Sequence, residues 1–143
     1  MSTGSIYMPL IEWEDRMNIG VRELDAEHER LALLINQLFD AMQEGAGRAK
    51  LKEILESLID YTNTHFEHEE YLLEKTGYPN IEAHKKEHLN LRRQIIGMKE
   101  KYKSKQSDVI TIEILTFLKN WLINHTTGSD KKLGPYLNAH GIN

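Results

Sequence analysis

At 143 residues the chain has the length of one domain and enough material to bury a substantial core. It is 40% apolar and 28% charged, with only three prolines and nine glycines, a balance that suits a helix-rich globule. A net charge of −4 and basic residues gathered only in pairs such as Lys85-Lys86 and Arg92-Arg93 argue against nucleic-acid binding, and there is no cysteine. The missing thiols exclude disulfides, iron–sulfur clusters and thiolate-bound zinc, which leaves nitrogen and oxygen as metal ligands.

Residues 1 to about 20 show no sustained period and contain Gly4, Pro9 and Gly20, so they read as an extended arm with Trp13 and Met17 packed back on the domain. Its apolar patch, Ile6 to Ile11, is interrupted by Pro9 and preceded by no basic residue. It lacks the form of a signal peptide, and no stretch approaches a membrane span. The expectation is a cytoplasmic monomer with neither membrane nor nucleic-acid partner.

Four periodic segments follow. The first is expected from about Asp25, read as its N-cap, to Glu44, where Gly45-Ala46-Gly47 stops it. Its stripe comprises Leu24, Leu31, Ile35, Leu38, Phe39 and Met42, with His28 among them. The second runs from about Arg48 to Lys75 and carries Leu51, Leu55, Leu58, Thr62, His65, Glu69 and Leu72 at steps of three and four. The third opens near Asn80 with Ile81, His84, His88, Leu91, Ile95, Met98 and Tyr102. The fourth opens at Ser107 as N-cap and aligns Thr111, Ile114, Leu118, Trp121 and His125 before yielding near Gly128. A short tail from Asp130 to Asn143 contains a Gly134-Pro135 turn.

Such steps place these positions on the inward seam of packed helices. Short links between four helices predict an all-α, antiparallel up-down-up-down four-helix bundle over about 21–143, in a single domain with the arm. In that topology the start of the first helix, the end of the second, the start of the third and the end of the fourth share one end. His28, His65, Glu69, His84, His88, His125 and Asp130 all fall there. Polar side chains on a core stripe are costly unless they are paired or bind a metal.

Spacing adds local geometry. Residues four apart share a helix face, so His65 with Glu69 and His84 with His88 each present two ligands together. Asp130 is five residues beyond His125, off the regular face, but Gly128 can break the helix and turn the carboxylate inward. Alone, His28 would be a satisfied core histidine and Asp130 a cap or turn residue; it is the conjunction of all seven that predicts a dinuclear metal site. His68 lies off the seam and His140 in the tail, so neither is counted as a ligand. Phe66 and Trp121 are expected as core aromatics that also wall the site.

From Trp13 onward the chain resembles the hemerythrins, specifically the single-domain bacterial kind. The resemblance rests on Ile19-Gly20-Val21, Leu24-Asp25-Ala26-Glu27-His28, His65-Phe66-Glu67-His68-Glu69-Glu70, and Tyr78-Pro79 ahead of His84 and His88. It closes with Asn124-His125 and Asp130 to Tyr136. The resemblance implies two non-haem iron ions, one held by His84, His88 and His125 and the other by His28 and His65. Glu69 and Asp130 would bridge them beside an oxo or hydroxo bridge. It further implies that dioxygen binds end-on to the two-histidine iron and is held as hydroperoxide, with both irons passing from ferrous to ferric.

Five imidazoles and two carboxylates donate less negative charge than the carboxylate-rich ferritin-like sites, and no Glu stands three residues before any histidine. Such a ligand set favours uptake and release of dioxygen over its cleavage. One departure from the family pattern is Thr126, where a bulky aliphatic residue usually follows the last histidine. It is either a tolerated substitution at a helix end or the mark of a wetter or wider approach to the oxygen site, with faster autoxidation. The expected function is therefore non-enzymatic dioxygen carriage or storage. The alternatives are oxygen or redox sensing, which would need a partner because the bundle occupies the chain, and peroxidase-like diiron chemistry. An oxygen-consuming protein partner is compatible with carriage.

Overall fold

The computed structural model describes residues 9–104 and 108–143, leaving aside the side chains of residue 48, 102–104 and 108–111. Four long helices dominate: α1 (Arg22–Gln43), α2 (Arg48–Thr76), α3 (Ile81–Ser104) and α4 (Asp108–Thr127). A short helix, α5 (Leu133–Ala139), follows a single 3₁₀ turn at Asp130–Lys132. Neighbours run α1–α2–α3–α4 and back to α1, the ring of an antiparallel bundle. The expected cap at Ser107 and the side chains of Tyr102 and Thr111 lie outside the described residues, as do Gly4 and Ile6.

Local chemistry explains the boundaries. Helix α1 starts three residues before the expected cap, with Val21 in the capping position. Asp25 is already inside the helix, and its carboxylate reaches back to accept from the Ile19 and Gly20 N–H groups (2.6 and 3.2 Å). A first-turn acid thus ties the arm to the positive end of the helix. Helix α2 ends at Gly77, whose φ of +73° only glycine adopts cheaply, and the Tyr78 N–H closes the turn on the Leu73 carbonyl (2.9 Å).

The tail is where the expectation fails. Gly134 and Pro135 lie in the first turn of α5 rather than in a loop turn. Proline is welcome there because the first N–H groups of a helix have no intrahelical acceptor. The described part of the arm contains a short 3₁₀ turn, Asp15–Met17. Met17 is buried and Trp13 packs against the core, as expected. Asn36 on α1 fastens the arm by pairing with both the N–H and the C=O of Ile11 (2.8 Å each).

Among the described residues the buried apolar side chains form two clusters. The larger includes Leu31, Ile35, Leu58, Phe66, Leu91, Leu118 and Leu122. The smaller joins Ile19, Val21, Leu24, Leu72, Leu73, Leu133 and Leu137 at one end. Along the chain His28 falls between Leu24 and Leu31, and Glu69 between Phe66 and Leu72. A polar layer is therefore enclosed between two apolar ones, with α5 forming part of the outer seal.

Candidate metal centre

All seven residues selected from the sequence are buried, none more than 4% exposed. They form two overlapping groups whose candidate ligand atoms lie within 4.8 Å of one another: Glu69, His84, His88, His125 and Asp130 in one, and His28, His65, Glu69 and Asp130 in the other. His68 and His140 belong to neither group.

Each carboxylate addresses both groups. Glu69 Oε1 faces the Nε2 atoms of His84 and His88 (3.1 Å to His88), while Oε2 faces His65 at 3.4 Å and His28 at 3.7 Å. Asp130 Oδ1 lies 3.1 Å from His84 Nε2 and 2.9 Å from His125 Nε2, and Oδ2 lies 2.9 Å from His28 Nε2. The i,i+4 spacing on α2 and α3 produces this convergence as expected. Asp130 joins it because α4 ends at Thr127 and the chain tightens into the 3₁₀ turn. Gly128 permits that change, since a Cβ there would stand 2.7 Å from the Asn124 carbonyl oxygen.

His84 Nε2 and Glu69 Oε1 are hydrogen-bonded, but most of this proximity is not hydrogen bonding. The inward nitrogens of His28, His65, His88 and His125, with Glu69 Oε2 and both Asp130 oxygens, are buried and lack a hydrogen-bond partner. Leaving so many polar atoms unsatisfied is expensive. Cations at the centre of the two groups would satisfy them together, and an all-imidazole-and-carboxylate donor set suits iron. The residues fit a metal pair.

The same geometry perturbs titration. Burial alone would depress His65, yet its hydrogen bond to Glu27 and the negative charge of nearby Glu69 raise its pKa to about 9. His84 reaches about 9 against the same burial penalty, through Asp130 and Glu69. Burial opposes the charge on Glu69 as well, but the surrounding imidazoles hold it well below the usual carboxylate range.

Three carboxylates that the sequence reading did not select hold the imidazoles from behind. Glu27 accepts from His65 Nδ1 at 2.6 Å, Glu70 accepts from His88 Nδ1 at 2.7 Å, and Glu87 lies 3.6 Å from His125 Nδ1. Such partners fix the tautomer and leave Nε2 free to face a metal. The only signal in the sequence was adjacency: Glu27, Glu70 and Glu87 each stand next to a selected residue.

Aromatic rings complete the walls as expected. Phe66 stacks on His88 (centroids 3.9 Å apart, planes 7° from parallel), and Trp121 stacks on His125 (5.1 Å, 19°). A cleft of about 410 Å³ between α3 and α4 reaches Trp121 and the outer side of His125. Among the described residues no helix is long and apolar enough to cross a membrane.

Comparison with known proteins agrees with this geometry. Residues 19–137 match the model of the hemerythrin HHE cation binding domain. The chain is 34% identical to the bacteriohemerythrin of Stenotrophomonas maltophilia over 133 residues, covering 93% of this chain and 85% of the relative. It is 33% identical to that of Methylococcus capsulatus, covering 92% and 100% respectively. Among solved structures, wild-type hemerythrin superposes with a TM-score of 0.79 at 30% identity, covering 90% of this chain and 98% of that one. A leucine-to-alanine variant of hemerythrin gives 0.81 at 30% identity, covering 91% and 98%. The match in sequence, fold and buried donor set establishes that this chain belongs to the hemerythrin family.

Proposed function

We propose that this protein binds dioxygen reversibly, as a carrier or store, with the oxygen end-on at the two-histidine half of its site. Hemerythrins are diiron oxygen-binding proteins, which sets the general class. His84, His88 and His125 would hold one iron, His28 and His65 the other, with Glu69 and Asp130 shared. When bound, the iron pair supplies an open coordination position and the electrons that hold dioxygen.

The observation that carries this reading is the way Glu69 divides its oxygens, Oε1 towards His84 and His88 and Oε2 towards His28 and His65. The three-histidine half would then have one more imidazole than its neighbour, which would leave the other half the one able to take dioxygen. The chain's own contribution is positioning and exclusion. Leu24, Leu72 and Leu133 cover one side of the polar layer, and Phe66 and Leu122 cover the other. These apolar layers restrict water and protons, which would otherwise promote loss of bound oxygen in reduced form.

The acids around the site serve the rings. Glu27, Glu70 and Glu87 stand behind the imidazoles at Nδ1.

The test is the visible spectrum of protein loaded anaerobically with ferrous iron, exposed to air and then degassed. A charge-transfer band that grows with oxygen and fades on degassing is expected. Immediate, irreversible conversion to a ferric spectrum would move the function to sensing or redox chemistry. Failure to take up iron would overturn the metal-centre reading itself.

A further inference from the structure

We infer that His68 is a positioning residue for the two-histidine half of the site: it holds Glu27, Glu27 holds the ring of His65, and this linkage sets how long that half retains its metal ion. The inference rests on the reading of the seven residues as a metal centre.

The two halves are supported differently. In the three-histidine half, His88 donates to Glu70 (2.7 Å) and His125 faces Glu87 (3.6 Å). In the other half, His28 Nδ1 is buried with no hydrogen-bond partner, so only His65 is oriented by a carboxylate. Ring orientation in that half depends on Glu27.

Glu27 in turn needs holding. It projects from α1 towards α2, and its two oxygens accept from two imidazoles one turn apart: Oε1 from His65 Nδ1 and Oε2 from His68 Nδ1, both at 2.6 Å. His68 Nε2 then lies 3.4 Å from Glu23 Oε2, one turn earlier on α1. A chain of contacts, Glu23–His68–Glu27–His65, runs from a side chain 72% exposed to one fully buried. The other two outer carboxylates also have second holders: Ser129 Oγ donates to Glu87 at 2.7 Å, and Arg92 lies 3.9 Å from Glu70. For Glu27, that place is taken by His68.

The chemistry requires a donor at the Nδ1 position of residue 68, and this separates positioning from a general packing role. In His68→Asn the amide N–H occupies roughly the place of Nδ1–H. In His68→Gln it occupies roughly the place of Nε2–H, nearer Glu23. Loss of a carboxylate behind a metal-bound histidine costs roughly 10–100-fold in affinity, and His68 acts one step further out.

The experiment loads wild type and the Ala, Asn and Gln variants of His68 anaerobically with two equivalents of ferrous iron and follows release to a ferrous chelator. In His68→Ala and His68→Gln one equivalent should leave about tenfold faster while the other keeps the wild-type rate. His68→Asn should restore slow release of both. Wild-type release from His68→Ala, equal acceleration of both equivalents, or Gln restoring as well as Asn would overturn the inference. A second readout does not depend on iron. In metal-free protein the His65 Nδ1 proton should exchange faster in His68→Ala and be protected again in His68→Asn; unchanged protection overturns the inference. If wild type itself binds no iron, the metal-centre reading fails, and the proton exchange still decides whether His68 holds Glu27 against His65.

Discussion

Gly134 lies so close to the backbone of Ile19 that a Cβ at that position would stand 1.7 Å from the Ile19 carbonyl oxygen. The contact joins α5 to the arm and helps close the small apolar cluster over the polar layer. Backbone on both sides cannot yield as a flexible side chain would. Gly134→Ala should therefore cost about 3 kcal/mol by pushing the two segments apart. Gly97, inside α3, has nothing within 4 Å of its Cβ position. Gly97→Ala should stabilise the fold by about 1 kcal/mol, because alanine loses less backbone freedom in a helix. Urea unfolding of both variants tests the contrast, and equal effects would refute it.

Glu69→Gln should reduce iron retention in both halves. Its two oxygens face different histidine sets, and a carboxamide presents one acceptor and one donor where two acceptors stood. Metal analysis after gel filtration should find well under two equivalents. Retention of both would remove Glu69 from the ligand set.

The raised histidine pKa values predict opposite pH responses for metal-free and loaded protein. His65 and His84 titrate near 9 in the metal-free fold against an ordinary value of 6.5. Their protonated rings therefore stabilise that fold fully below about 6.5, and the contribution fades as pH rises through about 9. Glu69 and Asp130 are lowered, so their contribution is present above the ordinary carboxylate range and lost on acidification. The urea midpoint of metal-free protein should fall between about pH 7 and about pH 10, while loaded protein should hold steady there and fail in acid. Loading at neutral pH should also release protons from His65 and His84, measurable with an indicator in weak buffer. No proton release would show that these rings are already neutral.

Thr126 is fully buried, and its hydroxyl donates to the Leu122 carbonyl within α4 at 2.8 Å. The hydroxyl is satisfied by its own helix, so its effect on the site is one of size more than polarity. Thr126→Ile adds apolar volume beside His125 and should slow autoxidation by tightening the dry layer. Equal autoxidation rates for wild type and variant would end that idea.

The seven candidate ligands were legible because each lies on a short-range pattern: a stripe position, an i,i+4 pair, or a helix end. The shared bundle end needed only helix order and short links. Glu27, Glu70 and Glu87 were not legible, because each sits off its helix's inward stripe, where a charge reads as solvated. His65 finds Glu27 across a separation of 38 residues, and His88 finds Glu70 across 18. His68 was not legible for the same reason: it is off the seam, and its partner Glu27 comes from another helix. Gly134-Pro135 reads locally as a turn and becomes the first turn of α5 in the folded chain.

By itself the sequence determined the helices, the bundle, and the set of nitrogen and oxygen donors at one end, because helical period and burial cost act within a few residues. Only the tertiary structure decided which oxygen faces which imidazole, which carboxylates stand behind the rings, and how α5 seals the polar layer. Those outcomes depend on distances between helices far apart in sequence, where a shift smaller than one side chain separates a hydrogen bond from an orphaned buried atom.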